Sequence, residues 1–566
     1  MPTDTLSKDL NNKTFDTIII GSGVGGLAAA ICLSRAGQKV LVLEQHDVPG
    51  GWCHSFYLNG HRFTPGVHYV GLVGNGLSTS ELYEGLGIAN DMVFYRQKPD
   101  SFEHCQIGDE RFDYPTDFKL FEDRLIQRFP DERKNIVKYL KLIINIGKQI
   151  GLLPKVKGFW QLITIPFRTK HMGKYFPFSL KRVLGWYFKD PLLKRILSIQ
   201  FGNHGLPPEK ASFIMHAAIM YHYHVGGFYP MGGGGAIVKS MTNAIKAKNG
   251  IIKTSTAIKH ILIETNGKGK KATGVKLVNG EHIYAKYIIS NADPATTYLK
   301  LIGENHLSNK LKKKLNKTEY SCTSLMLFLT VAMDVTKAGI DSGNIWRLPN
   351  ENMDDLFTDM QKNNILEGEE FSGMFISCTT LKDPISFDGK HHTLEAITYI
   401  NYDAFNDFHG ENTDRSEAYL KFKEQIIAKF FVTLEKVIPG ISNHVVQQEL
   451  GTPLTNKYYI HSTRGNVYGT EKSLKHIGPF AYKAKTEIES LYMCGASIVS
   501  HGISGASYSG VQTAARILGC RQDDLIKPSP DQHLRVFEAE NNSNYPDWML
   551  KKIKMKRSKL ESRDLL

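Results

Sequence analysis

Thr17-Ile18-Ile19-Ile20-Gly21-Ser22-Gly23-Val24-Gly25-Gly26 is the stretch on which the fold turns. Its first four residues are apolar and β-branched, as a short buried strand requires, and the glycines close them in a tight turn. Leu27 to Ala36 is rich in alanine and leucine with helical character, and Gly37 stops it. Lys39 to Leu43 is a second apolar run ending at Glu44, 18 residues beyond Gly26. Strand, glycine turn, helix, strand and terminal acid in this order form the dinucleotide-binding fingerprint of a Rossmann-type unit. Gly21 permits the turn, Gly23 lets the backbone approach a pyrophosphate, Gly25 lies in the same cofactor-binding turn, and Gly26 admits close helix-to-strand packing. The helix N-terminus offers N–H groups to phosphates, and Glu44 is placed to accept hydrogen bonds from ribose hydroxyls.

The rest of the composition bounds the reading. A chain of 566 residues, 42% apolar and 22% charged, predicts a globular protein of two or more interleaved domains. No stretch approaches the roughly 18 consecutive apolar residues of a spanning helix, and Met1 to Lys13 lacks the apolar core of a secretory signal, so a cytoplasmic chain is expected. Seven scattered cysteines without a C-x-x-C pair suggest neither a disulfide framework nor a zinc site, and no metal is expected. No Gly-x-Ser-x-Gly elbow, Walker loop or zincin motif is present, which leaves hydrolase and kinase readings without support. The net charge of +14 points to an anionic partner.

The first glycines alone do not distinguish FAD from a nicotinamide. The next residues do more. Gly50-Gly51 lies six positions after Glu44, and a second glycine pair there resembles the flavoproteins of the glutathione-reductase-like and amine-oxidase-like class. Where most of that class has Gly-Gly-Arg, this chain has Gly51-Trp52-Cys53. With His54-Ser55-Phe56, Gly60 and Gly66-Val67-His68-Tyr69-Val70-Gly71, it resembles the retinol saturase-like branch of the phytoene desaturase and carotenoid isomerase family. The resemblance implies an α/β fold: a Rossmann-type FAD-binding domain with an interleaved α+β substrate domain. It implies FAD as cofactor and, as activity, electron transfer at a C=C bond of an apolar polyene isoprenoid. Saturation of a retinol or carotenoid type of double bond is the leading reading. Phytoene-type desaturation or cis–trans isomerisation is the alternative, and a flavin-binding lipid carrier without turnover is a third.

Three later segments extend the resemblance along the chain. Tyr229-Pro230-Met231 and Gly232 to Gly235 lead into a helical stretch and resemble the family's return to the cofactor domain, where the run around Ile258 would lie beside the adenine. Tyr284 to Pro294 is a strand closing in a polar turn, read as structural. Leu491 to Ala496, followed by Ser500 to Ala506, resembles the second flavin-binding signature, with Gly495, Ala496, Ser504, Gly505 and Ala506 near the flavin. Many relatives have Gly-Asp where this chain has Gly495-Ala496, so a carboxylate contact is missing, with Ser497 as a candidate replacement. The expected layout is 14–80, 229–304 and 451–525 for FAD, 81–228 and 305–450 for substrate, and 526–566 as a basic C-terminal tail.

The substrate insertion carries the charge. From Lys155 to Arg195 there are ten Lys/Arg against the single acid Asp190, interleaved with aromatics such as Phe159, Trp160, Phe167, Phe178 and Trp186. Basic residues among Trp and Phe on amphipathic segments favour peripheral adsorption to an anionic bilayer, and no nucleic-acid module is visible. The tail, with Lys551, Lys552, Lys554, Lys556, Arg557 and Lys559, reads either as a second such patch or as a solvated helix. For proton transfer the candidates are His54, His68 and His501, which fall in segments expected near the flavin, with Tyr69 behind them. His216, His222 and His224 are read as a pocket wall. No second dinucleotide fingerprint is evident, so the electron donor or acceptor is left unassigned.

Overall fold

The computed structural model describes residues 14–152, 159–267, 269–353, 358–408 and 416–561. Strand β1 (Phe15–Ile20), helix α1 (Val24–Arg35) and strand β2 (Val40–Leu43) form where the glycine fingerprint predicts. β1 sits between β2 and the strand His282–Ser290, parallel to both. The strand Ile251–Lys253 adds in parallel beyond β2, and Leu491–Met493 pairs in parallel with His282–Ser290. The antiparallel strands Ile258–Asn266 and Gly269–Leu277 complete this seven-stranded sheet. One sheet thus gathers strands from three distant parts of the chain.

Every residue of α1 from Val24 to Ser34 is buried, so the helix has no polar face. A helix apolar all round must be covered on all sides. It is sandwiched among the sheet, the helix Gly234–Lys246 and helix α2 (Gly502–Leu518), whose inner face is small. The fit to α2 depends on glycine: a Cβ on Gly510 would lie 2.0 Å from the carbonyl oxygen of Gly25. Gly21 takes a φ of +88°, a conformation that side chains resist, and a Cβ on Gly26 would lie 2.4 Å from the Gly21 carbonyl oxygen. The turn and the close helix packing expected of Gly21 and Gly26 are both realised.

A second seven-stranded sheet runs in the order Val445–Gly451, Thr323–Val331, His392–Ile400, Met374–Cys378, Asn344–Leu348, Glu103–Ile107, Glu110–Tyr114. Its one parallel pair joins Asn344–Leu348 to Glu103–Ile107. Its strands come from both sides of the Gly234–Lys246 helix, so a unit of α+β character is threaded through the first. Helices from 118 to 222 pack on one face through an aromatic and aliphatic core.

The C-terminal segment differs from the expectation of a basic tail. Arg535–Glu538 pairs in parallel with Val93–Arg96 in a three-stranded sheet, and the helix Asp547–Glu561 buries Met549 and Ile553 beside Tyr95. Met549 and Ile553, four residues apart, form an apolar stripe on one helix face that the surrounding lysines mask in the sequence. Lys551, Lys552, Lys554 and Arg557 remain exposed on the other side, while the side chain of Lys559 lies outside the described residues.

The Gly25–Gly510 contact gives a direct test. Gly510→Ala is expected to force the two helices apart, at a cost of roughly 1–3 kcal/mol typical of overpacking. Thermal unfolding should show a lowered midpoint and the purified protein a reduced flavin-to-protein absorbance ratio; unchanged values would refute the packing argument.

Candidate active site

One cavity of about 480 Å³ runs along the carboxyl ends of β1 and β2 and into the second sheet. At one end its wall is the fingerprint: Gly21, Gly23, Gly25 and Glu44, with Ile258 and Thr256 beside them. Gly50, Gly51, Gly495, Ala496 and Ala506 line its middle. The far end is apolar and aromatic, with Met326, Trp346, Phe375, Ile397 and Tyr399 from the second sheet.

Neither α1 nor α2 has a side-chain cap at its N-terminus, where Gly23 and His501 occupy the capping positions. Both first turns open on this cavity, through Gly23, Val24 and Gly25 on one side and Gly502, Ile503 and Ala506 on the other. Two uncapped helix ends place two sets of N–H donors and two positive dipole ends on one hollow. Glu44 is buried and accepts from the Ser22 N–H at 2.8 Å, the Ser22 hydroxyl at 2.6 Å and the His46 N–H at 2.9 Å. Three donors do not exhaust the four lone-pair sites of a carboxylate, so an acceptor remains for a ribose hydroxyl. These residues fit FAD: one helix end and the glycine turn suit a pyrophosphate, and the other suits the electron-rich edge of a reduced flavin.

Of the other cofactor positions, Gly26 does its work in packing and is not on the wall. Ser504 and Gly505 do not line the cavity either. The Ser504 hydroxyl meets that of Thr79 at 3.2 Å, and the space beside Gly505 is filled by Ser500. On a helix only one face can meet the hollow, and here Gly502, Ile503 and Ala506 occupy it. Ser497 reaches the wall, but its hydroxyl accepts from the Thr470 N–H at 3.1 Å. Asn291, read as structural, is on the wall and wedged between the glycines, its side chain 3.3 Å from the Cys494 thiol. Asp293, in the same turn, fixes the loop around Thr463 through bonds of 2.7 and 3.0 Å.

The three candidate histidines separate sharply. His54 is on the wall with its Nδ1 2.6 Å from the Gly51 carbonyl, which ties it to the glycine pair; burial lowers its pKa. His501 is off the wall. Its Nε2 donates to the Asn203 carbonyl at 2.5 Å, and burial together with the Lys472 charge holds it at about 3, so the ring is neutral. His68 is on the wall beside Phe375, and its Nδ1 lies 2.9 Å from the Glu395 carboxylate. Glu395 is 0% exposed and accepts from the Thr64 N–H at 2.8 Å with its other oxygen. That clamp leaves Nε2 as the ring nitrogen with no bond among the described residues.

Sequence reasoning missed Glu395. It is the single acid in the apolar strand His392–Ile400, and an isolated acid in such a run is the signal that would have found it. A second buried acid, Glu103, carries no such signal, since His104 and Gln106 share its short strand. Glu103 accepts from Gln200 at 2.8 Å, from the Trp346 indole at 3.2 Å and from the Tyr69 hydroxyl, and burial pushes its carboxyl upward. Tyr69 is thereby fixed on the wall, where it stacks on Tyr223. Two lysines are also fully buried behind the wall. Lys382 donates to the His68 carbonyl at 2.8 Å, Lys472 to the Ala496 carbonyl at 2.7 Å, and burial brings each down to about 7.

The cluster expected to form a pocket wall sits one layer behind it. His216 Nε2 bonds the Leu197 carbonyl at 2.9 Å, His222 Nε2 accepts from the Gly71 N–H at 3.0 Å, and His224 Nδ1 bonds the Tyr221 carbonyl at 2.6 Å. Each ring is consumed by its own backbone partner, and none of the three lines the cavity.

This architecture, a Rossmann-type sheet whose cavity opens toward an apolar second sheet, defines a flavoprotein of the amine-oxidase kind. The chain belongs to the family described as flavin containing amine oxidoreductase, whose model matches residues 24–324, and its cofactor is FAD. It is similar to the all-trans-retinol 13,14-reductase of Danio rerio, 28% identical over 529 residues, covering 89% of this chain and 86% of that one. It is also similar to the chloroplastic prolycopene isomerase of Daucus carota, 26% identical over 533 residues, covering 91% and 82%. Among solved structures, an oxidoreductase from Methanosarcina mazei superposes with a TM-score of 0.59 at 17% identity, covering 89% of this chain and 100% of that one. No helix among the described residues is long and apolar enough to cross a membrane.

The buried histidines predict acid sensitivity. Burial holds His216 and His222 at about 4. Below about pH 6.5 the unfolded chain binds protons on these rings and the folded chain does not. Each therefore removes up to about 1.4 kcal/mol of stability per pH unit as pH falls toward the folded value. Urea unfolding at about pH 6.5 and about pH 4.5 should show that loss, and His216→Gln, which preserves the bond to Leu197, should show a smaller one. An identical pH slope in the variant would refute it.

Proposed function

We propose that this flavoenzyme acts on a C=C bond of an apolar polyene isoprenoid, most simply by saturating it. The observation that carries the reading is His68, on the wall of a cavity that is glycine-lined in one part and apolar in another through Met326, Trp346, Phe375 and Ile397, held from behind by the buried Glu395. Similarity to a retinol reductase and to a prolycopene isomerase supports the substrate class.

When bound, FAD supplies the exchange of two electrons at a carbon–carbon bond. The chain supplies the rest. His68 gives or takes the proton at Nε2, while Glu395 holds the opposite nitrogen and fixes the ring. Trp346 and Phe375, packed edge to face with ring centroids 4.7 Å apart, keep water from the bond being changed. His54, tied to Gly51, serves the cofactor rather than the proton. Gly21, Gly23, Gly25, Glu44, Gly50, Gly51, Ile258, Gly495, Ala496 and Ala506 are the residues we assign to FAD.

Peripheral membrane docking completes the proposal, since such a substrate dissolves in lipid. Phe167 is 79% exposed and Trp186 52% exposed, and Arg182 lies 5.5 Å from the Trp186 ring. A large aromatic side chain left in water among cations favours an anionic bilayer over solvent. Phe159 and Trp160, in the same basic stretch, have side chains outside the described residues, as do Lys155 and Lys157.

The test is anaerobic: chemically reduced holoprotein is mixed with all-trans-retinol, and flavin absorbance is followed together with product mass. A gain of two hydrogens with return of the oxidised spectrum is expected, and Glu395→Gln should slow it by about two orders of magnitude. If retinol leaves the spectrum unchanged while oxidised protein desaturates or isomerises phytoene-like polyenes in liposomes, saturation is refuted and the alternative stands. For docking, the paired variant Phe167→Asp with Trp186→Asp should lose flotation with phosphatidylserine vesicles that the parent retains. Equal flotation would refute the face.

A further inference from the structure

We propose that His61, Asp388 and His391 form a binding site for a first-row divalent transition-metal ion, with zinc as the representative, outside the cofactor cavity. His61 begins the second strand of the hairpin Phe56–Leu58/His61–Phe63. Asp388 and His391 lie just before the strand His392–Ile400. One donor atom from each residue lies within 4.8 Å of the others. Tetrahedral donors about 2.0–2.2 Å from one ion stand about 3.5 Å apart, so a movement of about 1–1.5 Å in the half-buried His61 ring closes the set.

The donor chemistry selects the ion. Two imidazoles and one carboxylate suit zinc and its first-row neighbours, whereas calcium and magnesium take oxygen-only sets. The carboxylate is fixed in advance. Asp388 has a side chain 9% exposed, and its Oδ1 accepts from the Lys390 N–H at 3.0 Å and the His391 N–H at 2.8 Å. Its Oδ2 meets His391 Nδ1 at 2.9 Å, and the His61 and His391 rings meet edge to face at 5.4 Å. Backbone bonds that orient a ligating carboxylate are the outer support such sites require. Three protein donors leave a position for water, and the part-exposed His61 provides the entry path.

The location gives the ion a purpose. The hairpin and the strand that it would tie together are the segments that, a few residues inward, make the Thr64–Glu395–His68 contacts. Arg62 and Asp383 form an ion pair across the same seam. A metal at this outer end would staple the seam and hold Glu395 in register with His68.

The experiment is a calorimetric zinc titration of chelator-treated, full-length holoprotein, paired with thermal unfolding. Zinc is expected to bind with one strong site per chain and to raise the unfolding midpoint. His61→Ala and His391→Ala should each weaken that site by at least roughly tenfold and abolish the rise. Because His61 is partly exposed, its variant should unfold at the parent's midpoint in EDTA. In that variant, loss of the zinc response then reports the ligand and not the fold. Absence of zinc binding in the parent, or the same stoichiometry and midpoint rise in both variants, overturns the proposal.

Discussion

Everything in the site depends on how closely α1 and α2 approach. Where Gly25 and Gly510 meet, no side-chain atom separates the backbones, and the two helices bring their N-termini to one hollow. Any larger residue would part them and the donors would no longer converge. Asn291 fills the wedge that remains, with a Cβ on Gly23 or Gly25 running into its side chain at under 3 Å. A strand-end asparagine thus acts as a spacer between two helix ends and the sheet they rest on.

The second constraint is the burial of acids in the other sheet. Glu395 and Glu103 are each 0% exposed, and a carboxylate so placed is stable only if its oxygens are met by donors. Several of those donors are side chains that face the cavity: His68 for one, Tyr69 and Trp346 for the other. The requirement to satisfy a buried acid is what fixes the orientation of the wall. The second sheet therefore does more than enclose an apolar ligand, because its polar interior aims the groups that face it.

The fingerprint was legible because its physics is local. A β-branched run, glycines at positions that exclude a side chain, and an acid at the next strand end are constraints between near neighbours, and they placed the strand, turn and helix to within three residues. His68 and His54 were found by proximity to those glycines. Proximity in sequence failed for His501, Ser504 and Gly505: the same helix start that lines the cavity with Gly502 and Ile503 turns these residues into the packing. It failed again for the C-terminal helix, where two apolar residues among many lysines decide that the segment docks.

The sequence by itself determined the class of the protein, its cofactor and the strand, glycine turn and helix at one end of the cavity, since each rests on close backbone geometry that only particular residues allow. The tertiary structure alone decided which histidine on the cavity wall is paired with a buried acid. Glu395 is more than 300 positions from His68 in the chain, and no local pattern encodes that pairing. It arises when the hairpin that precedes His68 packs on the second sheet and a buried carboxylate must find its donors there.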